Sequence, residues 1–139
     1  FAIATNVTLL LMDEPTNGLD IPSKSQFRKM IATNMSDDKA VIISTHQVRD
    51  IDSLLDHVVI IDEKQLLLNE SVANICDTIY FAEQCMNEST DEALYVQPSV
   101  HGNHVVLPNT CHEDSNVNLE VLFNAMLAER EKMQQMFNR

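Results

Sequence analysis

Two carboxylates stand side by side at Asp13 and Glu14, where the apolar run Leu9-Leu10-Leu11-Met12 ends. A buried strand that ends in Asp-Glu delivers both side chains to its C-terminal edge, where open α/β sheets bind their ligands. Asp13 could hold a magnesium ion, chiefly through water, because Mg²⁺ keeps several waters and takes few protein ligands. Glu14 could orient or deprotonate an attacking water. Phosphoryl transfer needs both, a cation against the phosphate charge and a placed nucleophile. By itself the pair also reads as a solvated turn at a strand end. Further along, a second apolar run ends in Ser44-Thr45-His46, which puts a histidine at another strand end.

The elements that must position these groups follow from the hydrophobic pattern. Residues 8–13, Ala40–Ser44 and 58–62 are short continuous apolar stretches, the pattern of strands buried on both faces of a parallel sheet. Between the first two, Phe27, Met30, Ile31 and Met35 fall on one helical stripe over residues 23–36, and Pro22 suits a first helical turn. Val48, Ile51, Leu54 and Leu55 predict a second, shorter amphipathic helix. The order β-α-β-α-β predicts an α/β sheet with crossover helices. Glu63-Lys64 then turns into an antiparallel hairpin strand over residues 65–69, and residues 71–76 suit a short helix.

The second half is less regular. Strands are expected at residues 78–82, 94–100 and 105–107, with Gly102-Asn103 as the hairpin turn between the last two. A final helix over residues 118–137 carries Leu119, Leu122, Phe123, Met126, Leu127 and Met133 or Phe137 as its apolar stripe, with Arg130 and Lys132 in its C-terminal half. The change of character puts a domain boundary near Cys76, giving segments 1–76 and 77–139.

The first stretch continues Pro15-Thr16-Asn17-Gly18-Leu19-Asp20. Asp13-Glu14-Pro15-Thr16, then Leu19-Asp20, then Ser44-Thr45-His46, in that order on the expected strand ends, resemble the ATP-binding-cassette (ABC) ATPase family. In that family DEPT ends the Walker B strand, the Leu-Asp step lies in the D-loop, and Ser-Thr-His carries the switch histidine. The resemblance implies a role for each. Asp13 matches the Walker B magnesium ligand and Glu14 the catalytic glutamate that positions water. His46 matches the switch histidine, which contacts the γ-phosphate. Gly18 and Asp20 match the D-loop, which in the family crosses a dimer interface. ATP and Mg²⁺ are the implied cofactors. The implied fold is part of a P-loop NTPase (RecA-like) parallel sheet with crossover helices, followed by a small α+β extension. The resemblance covers residues 1–76 firmly and the remainder loosely.

Two family elements have no counterpart. A phosphate-cradling GxxxxGK[ST] loop needs closely spaced glycines, and the chain has only two, Gly18 and Gly102. The LSGGQ signature is excluded for the same reason. Phe1-Ala2-Ile3-Ala4 reads as the interior of an element, so the expectation is a C-terminal portion whose N-terminal half lies upstream. Such a fragment is expected to be inactive alone and to self-associate through uncovered strand edges and apolar faces. The parent is expected to be the ATPase subunit of an ABC transporter, resembling the ABC-2 or multidrug-export type. Its expected partners are a transmembrane permease subunit and a second nucleotide-binding subunit. The alternatives are a soluble ABC ATPase acting on ribosomes or DNA, and a non-enzymatic half-domain dimerisation module.

Composition bounds these readings. The 139 residues are 45% hydrophobic, enough for a core. Nine basic against twenty-one acidic residues give a net charge of −12, which disfavours nucleic acid or an anionic membrane as a direct partner. No apolar run approaches the roughly 20 residues of a membrane span. Three cysteines at irregular spacing read as free thiols of a reducing cytosol, which fits a cytoplasmic protein held at the membrane by its permease. His101, His104, Cys111 and His112 are spaced awkwardly for zinc and are not read as a metal site.

Overall fold

The computed structural model describes residues 7–36, 38–85 and 88–137. The expectation about the first four residues lies outside them. Contacts divide the chain into two compact units, Phe1–Leu54 and Leu55–Arg139. The boundary expected near Cys76 rests on the change of character along the sequence, a different criterion from packing.

In the first unit, strand β1 (Leu9–Asp13) lies parallel to strand β2 (Ala40–Ser44), with Leu9 beside Ala40 and Asp13 beside Ser44. Parallel strands need a long crossover, and helix α1 (Ile21–Asn34) supplies it. Asp20 caps that helix by accepting from Ser23 N at 2.9 Å, and Pro22 sits in its first turn. The buried stripe is narrower than the sequence suggests. Phe27 and Ile31 are buried, Met30 is exposed, and Met35 already lies beyond the helix in extended backbone. Leu10, Val41 and Ile31 line one shallow pocket, so α1 packs on that face of the strand pair. Leu9, Leu11 and Ile42, on the other face, are exposed.

The shorter amphipathic helix expected after His46 is not formed. Two 3-10 turns, Val48–Asp50 and Asp52–Leu54, take its place, closed by Ile51 N to Val48 O and Leu54 N to Ile51 O. Asp50, Asp52 and Ser53 favour such local turns over a continuous helix, and the turns let Ile51 between them be buried.

The second unit opens with a hairpin, β3 (His57–Asp62) and β4 (Gln65–Ser71), paired antiparallel. Glu63 and Lys64 both take positive φ, 45° and 65°, as a tight two-residue connection requires. The sequence reading made residues 58–62 a third strand of the parallel sheet. That is corrected: among the described residues β1 and β2 form a two-stranded parallel sheet, and β3 pairs with β4 in a separate one. A two-residue turn closes a hairpin with far less chain than a parallel crossover. The architecture is thus mixed α/β with small sheets.

Ser71 caps helix α2 (Val72–Thr78) through Asn74 N. Strands β5 (Ile79–Gln84), β6 (Tyr95–Ser99) and β7 (Gly102–Pro108) form an antiparallel sheet in the order β5-β7-β6. Ser99 faces Gly102, so the β6–β7 turn is Val100-His101 and not Gly102-Asn103. Gly102 serves a close approach instead: a Cβ there would lie 2.2 Å from Gln84 O.

The expected single terminal helix is two. Helix α3 (Leu119–Ala128) ends at Glu129, whose backbone (φ −121°, ψ 46°) leaves the helical region, and α4 (Arg130–Phe137) follows. Arg130 therefore opens a helix rather than sitting late in one. Val121 and Ala125 join Leu119, Leu122, Met126 and Met133 in the core, while Phe123 and Leu127 are exposed. Ile75, Ile79, Val105, Val106, Leu122, Met126 and Met133 are its largest fully buried apolar side chains. Lys132 Nζ ties α4 to the β6 approach by donating to Ala93 O and Leu94 O at 2.8 and 3.2 Å. Among the described residues no helix is long and apolar enough to cross a membrane.

Gly102→Ala is expected to destabilise the second unit by roughly 1–3 kcal/mol, since backbone must move to admit the methyl group. Gly18→Ala, where nothing lies within 4 Å but φ is +75°, costs about 1 kcal/mol. Urea unfolding followed by circular dichroism measures both, and an unchanged midpoint for Gly102→Ala contradicts the close approach.

Candidate functional site

The register of β1 against β2 builds the site. Asp13 and Ser44 end their strands side by side, and Ser44 Oγ donates to Asp13 Oδ1. The pairing runs one residue further, with Glu14 N donating to Ser44 O at 2.8 Å. At Glu14 the backbone turns to φ 45°, an uncommon conformation for a side chain with a Cβ. The turn behind it is closed by Asn17 N to Glu14 O and Leu19 N to Thr16 O, at 3.1 and 3.2 Å.

The Glu14 carboxylate accepts three bonds from the chain segment that follows β2. Thr45 Oγ1 donates to Oε2 at 3.0 Å, His46 N donates to Oε1 at 3.0 Å, and His46 Nδ1 lies 2.6 Å from the same Oε1. At that separation the ring carries its proton on Nδ1, which leaves Nε2 free to act outward. The ring is largely exposed, at 74% for the side chain, against 29% for Glu14. The bond from the His46 side chain, helped by His46 N and Thr45, holds the Glu14 carboxyl below its ordinary value despite some desolvation.

Asp13 and Glu14 thus meet Ser44, Thr45 and His46 at the ends of β1 and β2. Gly18 and Asp20 lie on the exposed turn that leads into α1, and the Asp20 carboxylate is engaged in capping the helix. The Ser23 hydrogen bonds lower its pKa. The sequence reading treated Ser44 and Thr45 only as context for His46; their hydroxyl bonds to the two carboxylates appear only in three dimensions.

Asp13 has the donor chemistry for a hard cation. Asp13 offers an exposed carboxylate beside a hydroxyl, both hard oxygen donors. Among the described residues no group of three or more His, Cys, Asp or Glu could hold a metal ion. A lone carboxylate suits Mg²⁺, which keeps most of its water and takes substrate phosphate oxygens.

Because its folded-state pKa is depressed, Glu14 contributes stability that is present above the ordinary glutamate value of 4.5 and lost as pH falls through the folded value. Carboxyl ¹³C NMR should give Glu14 a midpoint below 4.5, returning toward it in His46→Ala. A midpoint unmoved by that substitution contradicts the assigned cause.

No family model matches this sequence. Similar curated proteins include ATP-binding proteins of ABC transporters. An uncharacterized ABC transporter ATP-binding protein of Methanocaldococcus jannaschii is 28% identical over 86 residues, 62% of this chain and 33% of the relative. The uncharacterized ABC transporter ATP-binding protein YdbJ of Bacillus subtilis is 38% identical over 99 residues, 70% of this chain and 29% of its own. The bacitracin transport ATP-binding protein BcrA of Bacillus licheniformis is 43% identical over 60 residues, 42% of this chain and 20% of its own. The matches span a third or less of the length of these relatives. With DEPT and Ser-Thr-His meeting at the ends of two parallel strands, Leu-Asp in the turn that follows the first of them, and with these relatives, the chain belongs to the ATP-binding-cassette family.

Proposed function

We propose that this chain supplies the Walker B, D-loop and switch-histidine half of the ATP site in an ABC transporter's ATP-binding subunit. The observation that carries the reading is the Glu14 carboxylate bonded to His46 while Asp13 stands at the adjacent strand end. Residues 1–76 are the C-terminal half of the ATPase core in this proposal, part of a RecA-like parallel sheet, and 77–139 are a C-terminal extension. The exposed face carrying Leu9, Leu11 and Ile42 is where further elements of that sheet would pack.

In this reading Glu14 is the catalytic carboxylate. It is ionised at neutral pH, and its hydrogen bonds from Thr45 and His46 fix the direction in which it orients or deprotonates a water. In contact with the γ-phosphate, His46 donates from both ring nitrogens, Nδ1–H to Glu14 and Nε2–H to the phosphate oxygen, because an unprotonated Nε2 would set a lone pair against an anion. Asp13, with Ser44 beside it, holds Mg²⁺ through water; when bound, that ion offsets the charge of the transferred phosphoryl group. Gly18 and Asp20 form the D-loop and face a second nucleotide-binding subunit.

The relatives are named for transport, which favours a transporter over a ribosome- or DNA-directed ATPase or a non-enzymatic module. The partner is then a transmembrane permease, and the subunit is cytoplasmic at the membrane. The residues Asn17-Gly18-Leu19-Asp20 favour the ABC-2 or multidrug-export type.

Two measurements test this. Titration calorimetry of this chain alone with Mg-ATP should show no binding at micromolar concentrations, because the chain has too few glycines for a phosphate loop. In the full-length protein, Glu14→Gln should lower ATP turnover on the order of 10²–10⁴-fold with ATP still bound. Normal turnover in that variant would sink the proposal.

A further inference from the structure

We infer that Lys24 is a positioning residue for the Glu14–His46 pair, acting through Gln47 and Asp50. Lys24 stands at the start of α1, where its N–H donates to Asp20 O at 2.9 Å. Its ammonium reaches across to the segment that leaves β2. It lies 2.7 Å from Asp50 Oδ2 and 3.1 Å from Gln47 Oε1. One cation therefore grips two points just past His46.

The grip is passed to the site through a short chain of hydrogen bonds. Gln47 N donates to Thr45 Oγ1 at 2.9 Å, and Thr45 Oγ1 donates in turn to Glu14 Oε2 at 3.0 Å. His46 lies between these two residues. Its exposed ring has little packing to hold it, so the backbone of residues 45–47 and the bond to Glu14 set its place. What holds residues 45–47 therefore holds the ring. Arg28 adds a bond from Nη1 to Asp50 O at 3.3 Å, which fixes the far end of the same turn.

The electrostatics favour a permanent contact. The Lys24 hydrogen bond holds the Asp50 carboxyl below its usual range, against the upward push of burial, with the buried Thr16 hydroxyl contributing. Both partners are shielded, with side chains 22% and 15% exposed, so the pair is screened less than a surface ion pair. Losing one partner leaves the other charge in that setting uncompensated. The helix that follows the Asp20 turn is thus tied to the histidine segment.

The inference rests on Glu14 and His46 being the working pair. Its test needs no nucleotide, so its failure and the failure of the ATPase reading are separable. In the ¹⁵N-labelled chain, long-range ¹H–¹⁵N spectra report where the His46 ring carries its proton. The wild type should show a ring fixed with the proton on Nδ1. Lys24→Met should move the ring signals to those of an imidazole averaging between tautomers. Lys24→Arg should keep them, and Lys29→Met, on an exposed part of α1, should leave them unchanged. Wild-type ring signals in Lys24→Met, or equal shifts in Lys29→Met, overturn the proposal. If Lys24→Met loses the dispersed amide signals of α1, Asp50→Asn decides. Intact amides with shifted ring signals support positioning, and unshifted ring signals overturn it.

Discussion

The parallel pairing of β1 with β2 is the constraint on which the site depends. The residues that Asp13 and Glu14 bond through their carboxylates, Ser44, Thr45 and His46, lie 31 or 32 positions away in sequence. Only the ladder, extended by the bond from Glu14 N to Ser44 O, brings them together. Moving the register by one residue would send the Asp13 side chain to the opposite face and break every polar contact at the strand ends. The crossover that makes the pairing possible is α1, so its Asp20 cap and its buried Phe27 and Ile31 serve the site indirectly.

The site concentrates charge while leaving little of it unpaired. Glu14 is held by three donors from one short segment, and Lys24 and Asp50 neutralise each other beside it. That economy matters in a chain of net charge −12, where an unpartnered carboxylate cluster would repel both itself and phosphate. The φ of 45° at Glu14 is the strained point of the arrangement, and hydrogen bonds on either side of it hold the backbone there.

Legibility followed the range of the physics. Short apolar runs located β1, β2 and the β3–β4 hairpin, because strand patterning and two-residue turn chemistry are local. The reading failed where neighbours decided. Gly102 looked like a turn residue but is a glycine because β5 passes close to it. Residues 118–137 looked like one helix, yet the backbone breaks at Glu129, and no glycine or proline marks that place. The strand at 58–62 looked parallel because a continuous apolar run does not reveal which neighbour it pairs with.

What the sequence determined by itself was the chemistry: an Asp-Glu pair after an apolar strand, a histidine after another, and a glycine count too low for a phosphate loop. Residue type and strand-end position are local properties and survive without coordinates. Tertiary structure decided which groups touch. It put Thr45 and His46 on one carboxylate, gave Lys24 to Gln47 and Asp50, and turned Asp20 to capping a helix. Those are contacts between distant positions whose geometry is set by strand register and helix packing, and no local pattern encodes a register.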